Sequence, residues 1–282
     1  MTPPVAREAA SRVLREKWPS APGFPTSPEN ALNITFYVMG ASSTIDPSAH
    51  GAPGSYWTTL TTWPTYVPTR YYLQAKGGLA PVPPSAAAPA TISFAYDPKN
   101  PVQTIGGNNL EIPCGPLDQS PLENGSRSDV LVFTSDVLTS SLAVTGPLTM
   151  ELWVSSNVTD TDFTVKLTDV YPNGYSALIE DGIVRMRWRN RASSSVPQFM
   201  VPGTVYPVTV SLWSTSFIWA VGHRIRVDVS SSNSPRFRWV ARAVRRVRPQ
   251  TFALLYALLL CYARVVLRVG NGICIANIPF AV

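Results

Sequence analysis

Apolar residues return at every second position along most of this chain, a spacing that suits β-strands with one buried face and rules out long amphipathic helices. Ile34, Phe36 and Val38 alternate with Thr35, Tyr37 and Met39. The same rhythm recurs at Leu148, Met150, Leu152 and Val154, at Phe163, Val165 and Leu167, and at Val184, Met186 and Trp188. It recurs again at Val208, Val210 and Leu212 and at Ile225, Val227 and Val229. Turn chemistry separates the runs: Gly146-Pro147, Pro172-Asn173-Gly174, Asp181-Gly182 and Pro202-Gly203 are each expected to reverse the chain. Short strands at such intervals, without alternating helices, predict an antiparallel sandwich or barrel and exclude a parallel α/β sheet.

Composition sharpens this expectation. Hydrophobic residues are 45% of 282, enough for a sizeable core, while charged residues are only 14% against the roughly 25% usual in soluble domains. Val5 to Trp18 suits a short amphipathic helix, but Pro19, Pro22, Pro25 and Pro28 stop it, so residues 1–30 read as a linker. Between Gly40 and Pro89 the chain is rich in Gly, Pro, Ser and Thr, which implies long loops around strand-like segments at Tyr56–Trp63 and Thr69–Leu73. The first residues carry no apolar signal segment, which favours a cytoplasmic location. Cys114, Cys261 and Cys274 show neither a disulfide framework nor metal-ligand spacing, and no metal or cofactor is expected.

No catalytic constellation is legible. Gly174-Tyr175-Ser176-Ala177-Leu178 approaches the serine nucleophile elbow but lacks its final glycine, so Ser176 reads as a loop serine entering a strand. The only histidines are His50, expected in solvent, and His223, expected to hold structure through a hydrogen bond. Arg185, Arg187 and Arg189 alternate with Val184, Met186 and Trp188 and are expected to form a solvated outer face rather than a phosphate track. Nucleic-acid binding is disfavoured, and self-association stays open.

Five stretches, in order, resemble the C-terminal non-catalytic domain of X-Pro dipeptidyl-peptidases, cocaine esterase and α-amino-acid ester hydrolases. They are Tyr96–Gly107 (YDPKNPVQTIGG), Asp129–Ser135 (DVLVFTS), Asp160–Gly174 (DTDFTVKLTDVYPNG), Asp181–Arg187 (DGIVRMR) and Gly222–Phe237 (GHRIRVDVSSSNSPRF). The resemblance implies an all-β, jelly-roll-type, galactose-binding-like antiparallel β-sandwich over residues 31–237. It implies a partner as well, an α/β-hydrolase domain in the same chain, whose cleft this domain helps to shape and which would carry the serine, acid and histidine. Fold alone would license none of this. In that setting Gly106, Gly107, Asn108, Asn109 and Leu110 are candidates to face the substrate cleft: paired glycines allow close backbone approach, the asparagines offer donors and acceptors, and Leu110 offers apolar wall. Trp57 and Trp63 are candidate contacts with the hydrolase domain. By itself the chain is expected to be inactive. The rival reading is a free-standing β-sandwich that binds carbohydrate or protein.

The pattern changes after Phe237. Residues 238–282 hold seven arginines and no acidic residue, so the +6 net charge less these seven leaves residues 1–237 at −1. An arginine cluster from Arg238 to Arg248 is followed by the apolar run Phe252–Ala263, too short to span a bilayer that needs about 20 residues. A membrane anchor is disfavoured. The segment reads as an atypical tail standing where closing strands are expected, as a shifted frame or mispredicted gene end would produce. Without those strands a sheet edge would stay unpaired unless the tail substitutes.

Overall fold

The computed structural model describes residues 34–63, 67–84, 91–109 and 112–237, together with the backbone of 263–268 and 272–277. The proposed linker, Leu110 and most of the tail lie outside these residues.

The strands are β1 (Ile34–Gly40), β2 (Tyr56–Leu60), β3 (Val67–Leu73), β4 (Gly78–Ala80), β5 (Thr91–Tyr96), β6 (Leu131–Ser135) and β7 (Leu142–Ser156). They continue as β8 (Asp162–Val170), β9 (Ser176–Arg185), β10 (Tyr206–Trp219), β11 (Arg224–Ser230), β12 (Ala263–Arg268) and β13 (Gly272–Asn277). One four-residue helix, α1 (Ser120–Glu123), interrupts them. The hydrogen-bonded order is β2-β1-β10-β7-β13-β3-β4-β6-β11-β8-β9, and β12 joins β5 to β7. All ladders are antiparallel except β1 with β10 and β4 with β6. The array curls over on itself, so that β9 packs across β10 although the two are not ladder neighbours. The result is an all-β jelly-roll sandwich.

Period-two alternation accounts for its core. Leu148, Met150, Leu152 and Val154 of β7 meet Phe163, Val165 and Leu167 of β8, Val208, Val210 and Leu212 of β10, and Ile225, Val227 and Val229 of β11. Each fully buried side chain of this kind contributes roughly 1.5–3 kcal/mol of transfer free energy. Pro172-Asn173-Gly174 turns β8 into β9, and Pro202-Gly203 precedes β10, as the sequence implies.

Two expected turns are instead inside strands. Gly146 and Pro147 lie within β7, opposite Thr215 and Ser214 of β10. Pro147 is tolerated there because β10 carries a bulge between Ser211 and Ser214, where the ladder is already interrupted. Asp181 and Gly182 lie within β9, opposite Lys166 and Val165. A Cβ on Gly182 would lie 2.1 Å from the Ser211 carbonyl oxygen, so this glycine permits the two sheets to approach. The arginine row is also corrected. β9 ends at Arg185 and a 3₁₀ turn takes Met186–Trp188, which breaks the alternation. Arg185 pairs with Asp162 at 2.8 Å, Arg187 with Asp160 at 3.4 Å, and Arg189 lies over the Tyr206 ring.

The chain beyond residue 237 contributes two strands. β12 runs antiparallel to β5 from Ala263 opposite Tyr96 to Arg268 opposite Thr91, and β13 runs antiparallel to β3 and β7. Among the described residues no helix is long and apolar enough to cross a membrane.

Candidate functional site

The outer face of β8 is not in solvent. Every residue of Asp162–Val170 is buried, the polar ones included. The described parts of the segment from Val102 through α1, and the segment Ser231–Arg236, lie over that face and pair with each other, since Ser234 N–H donates to the Val102 carbonyl and Thr104 N–H to the Ser234 carbonyl. Between cover and sheet is a polar layer. Lys166 Nζ donates to Gln119 Oε1 at 2.8 Å, and Gln119 Nε2 donates to the carbonyls of Ile105 and Leu117 at 2.8 and 2.9 Å. Gln119 thereby closes both ends of the loop that contains the candidate glycines. Burial pulls the Lys166 ammonium below its ordinary pKa, opposed by the nearby Asp228, Asp181 and Glu123 carboxylates. Burial holds Asp228 well above the carboxylate range, and Glu123 reinforces it. Neither Asp228 oxygen has a hydrogen-bond partner among the described residues.

That layer fixes the loop. Gly107 and Gly115 form an antiparallel bridge, with N···O distances of 2.8 and 3.1 Å. Gly106 and Gly107 have φ of 67° and 89°, the left-handed region that glycine adopts without strain. A Cβ at Gly106 would lie 2.5 Å from the Gly115 carbonyl oxygen, and one at Gly107 would lie 3.0 Å from Arg236 Nη1, whose guanidinium pairs with buried Asp181. Asn109 Nδ2 donates to the Gly106 carbonyl and Asn109 Oδ1 accepts from Ile112 N–H, so its amide is spent within the loop.

The loop forms one rim of a cleft of about 550 Å³, a ligand-sized volume. Gly107, Asn108 and Asn109 face Tyr37 and Met39 of β1, Leu178, Ile179 and Glu180 of β9, Tyr171 and Phe217. A second hollow of about 260 Å³ adjoins it and shares Tyr37, Met39 and Glu180. Trp63 lines that second hollow and leans on Phe36 at 5.5 Å between ring centroids, while Trp57 stacks edge-on against Tyr37 at 5.4 Å. Of the sequence candidates, Gly107, Asn108 and Asn109 are brought together at the cleft, Gly106 supports them from behind, Trp63 joins the adjoining hollow and Trp57 backs Tyr37.

Glu180 was not a candidate. A register shift between Leu167 and Thr168 makes Ile179 an extra residue in β9, so Ile179 and Glu180 both reach the cleft, which successive residues of a regular strand would not do. Nothing in the local sequence marks that bulge. Burial, and then the neighbouring Asp181, push the Glu180 carboxyl up to about 7; Thr215 and Arg236 act in the opposite direction. Between an ordinary pKa of about 4.5 and this raised value the folded protein binds the extra proton, so stability falls as pH rises through that window. Glu180→Gln removes the liability. It is expected to melt at the same temperature as the parent at pH 4.5 and higher at pH 8, a difference that paired calorimetric scans would measure.

The other titratable candidates are structural. His223 is buried, and its Nδ1 lies 2.9 Å from both Asp169 oxygens. His50 is exposed. Ser176 opens β9 fully buried, its Oγ 2.9 Å from Glu123 Oε1 and from Thr168 Oγ1, where no substrate can reach it.

Residues 29–246 match the family of X-Pro dipeptidyl-peptidase C-terminal non-catalytic domains. The chain is similar to cocaine esterase of a Rhodococcus strain, 38% identical over 194 residues, covering 64% of this chain and 33% of that protein. It also resembles the crystal structure of an aminopeptidase from a marine-sediment thaumarchaeon, with a TM-score of 0.63 and 28% identity, covering 79% of this chain and 39% of that one. An α-amino acid ester hydrolase shares the fold, with a TM-score of 0.65 at 24% identity over 79% of this chain and 39% of its own. This chain therefore spans little more than a third of the relatives it matches.

Proposed function

The chain belongs to the family of X-Pro dipeptidyl-peptidase C-terminal non-catalytic domains, and on that premise we propose that it serves as the accessory domain of a serine hydrolase, forming one wall of a substrate cleft whose catalytic groups lie in an α/β-hydrolase domain. The observation that carries this reading is the cleft itself. Its rim is a loop fixed by Gly106, Gly107, Gly115 and Gln119, and among the described residues no histidine lines it beside Ser42, Ser55 or Cys114.

The surroundings of the cleft support a docked partner. Tyr37, Met39, Tyr56 and Trp63 are exposed on or beside β1 and β2, and β2 ends the sheet order. Among the described residues no strand pairs with the outer edge of β2, and an unpaired edge carrying aromatic side chains is a surface that proteins normally cover. Trp213, in the bulge of β10, is 72% exposed with φ of 67°. That conformation costs a non-glycine residue about 1–2 kcal/mol, and the exposed indole recovers little of it within the domain. Contact with a partner domain would. The activity read from the relatives' names is peptide or ester hydrolysis, and for this chain it belongs to the assembled pair.

The test combines the purified chain with the remaining part, about two thirds, of the rhodococcal cocaine esterase expressed without its own matching third. Association by sedimentation and a gain in aryl-ester or aminoacyl-proline turnover over either part alone are expected. Turnover by this chain alone would overturn the reading, and glycan binding without association would favour a free-standing carbohydrate-binding sandwich.

A further inference from the structure

We propose that Glu180 and the aromatic walls beside it form a binding site for an organic cation with an apolar body, the charged group resting at the Glu180 carboxylate. The inference deepens the reading of the cleft as a substrate wall and rests on the same surface. Its test uses this chain alone, so failure of the cation site and failure to dock a hydrolase domain are separate results.

Three observations carry it. Among the described residues Glu180 is the only Asp, Glu, Lys, Arg or His lining either hollow, and it belongs to both. Aromatic side chains stand in both linings, Tyr37, Tyr171 and Phe217 in the larger hollow and Phe36 and Trp63 in the smaller, and the other side chains there are aliphatic or uncharged polar. Aromatic faces around one carboxylate attract a cation with an apolar body, through ring quadrupoles and charge together. The carboxylate also stands where folding alone would disfavour it, half-buried beside Asp181 and brought there by a bulge. Arg236 does not neutralise the site, because its guanidinium is committed to Asp181.

Other ligand classes fit less well. An anion would meet Glu180 without a lining cation. A neutral sugar would leave Glu180 without a positive partner, and of the two loop amides Asn109 is already engaged within the loop. The groups facing Glu180 are Asp181 on its own strand, Thr215 of β10, Arg236 and Tyr37 of β1, and its register partner on β8 is the uncharged Leu167. Ionisation of the site is therefore governed by Glu180 over the neutral range.

The experiment is calorimetric or NMR titration of the full chain with benzyltrimethylammonium, whose charge does not vary with pH. Benzyl alcohol is the neutral control and benzenesulfonate the anionic one. At pH 8 the cation is expected to bind at least about tenfold more tightly than benzyl alcohol, with benzenesulfonate weakest. The preference is expected to shrink toward unity at pH 5.5 as Glu180 takes up its proton. Glu180→Gln should abolish the preference while leaving benzyl alcohol binding and the cooperative melt intact. Equal affinity for cation and alcohol at pH 8, preference surviving in Glu180→Gln, or no binding of either aromatic at millimolar concentration would each overturn the proposal.

Discussion

Lys166→Met is expected to destabilise the domain by about 1–3 kcal/mol, the cost of leaving a buried acceptor without its hydrogen-bond donor. Lys166 is 4% exposed, lies on the covered face of β8 and donates to Gln119, which holds the carbonyls of Ile105 and Leu117. Methionine fills the volume but donates nothing. The substitution therefore leaves Gln119 Oε1 without its donor. The loop should loosen together with the loss of stability, because Gln119 joins its two ends. Chemical denaturation gives the first quantity, and limited proteolysis between residues 105 and 117 gives the second. The double change Lys166→Met with Asp228→Leu should lose less than Lys166→Met alone, since it also removes a buried carboxyl that has no hydrogen-bond partner among the described residues. A single variant that melts within about 1 kcal/mol of the parent would show that the polar layer is not what secures the cover.

The second large effect is expected at Gly182→Ala. Its Cβ would lie 2.1 Å from the carbonyl oxygen of Ser211 and 3.0 Å from the carbonyl carbon, contacts with backbone that no rotamer change relieves. β9 and β10 must then separate, which opens the core around Leu212. A loss of about 3 kcal/mol or more is expected, at the upper end of overpacking costs. Ser211 and Ser214 flank the bulge that holds Trp213 in its left-handed conformation, so a shift in tryptophan emission should accompany the lower denaturation midpoint. A midpoint and emission spectrum equal to the parent's would refute this account of the contact between sheets.

These two positions show where sequence reasoning reached and where it stopped. Five of the six alternating runs became strands, the sixth leaving β9 for a 3₁₀ turn at Met186–Trp188, and the buried members of β7, β8, β10 and β11 are the residues whose spacing called for burial. Gly182 was misread because Asp-Gly is a common turn signal, whereas here glycine serves a close approach between sheets that only the folded chain creates. Gly146-Pro147 was misread for a related reason: the bulge in β10 that accommodates the proline lies some 65 residues away in sequence. The candidate loop was legible through its paired glycines and its resemblance to the family. Glu180 was not, because its place in the cleft depends on a one-residue register shift against β8, and alternation along a single strand carries no information about its neighbour's register.

The sequence by itself determined the class of fold, most of the strands that build the core, and the family. Those follow from local periodicity and from ordered motifs, which each strand or stretch carries within itself. Tertiary structure alone decided that the polar face of β8 is roofed by the loop and Ser231–Arg236, and that Lys166 and Asp228 are consequently buried. It also decided that Glu180 stands among aromatic rings at the cleft, and that two strands beyond residue 237 pair with β3, β5 and β7. The physical reason is common to all of these: whether a polar side chain meets water, a partner or an apolar wall is fixed by segments 50 to 130 residues distant that lie over it, as Val102 N–H on Ser232 Oγ and Lys166 on Gln119 illustrate.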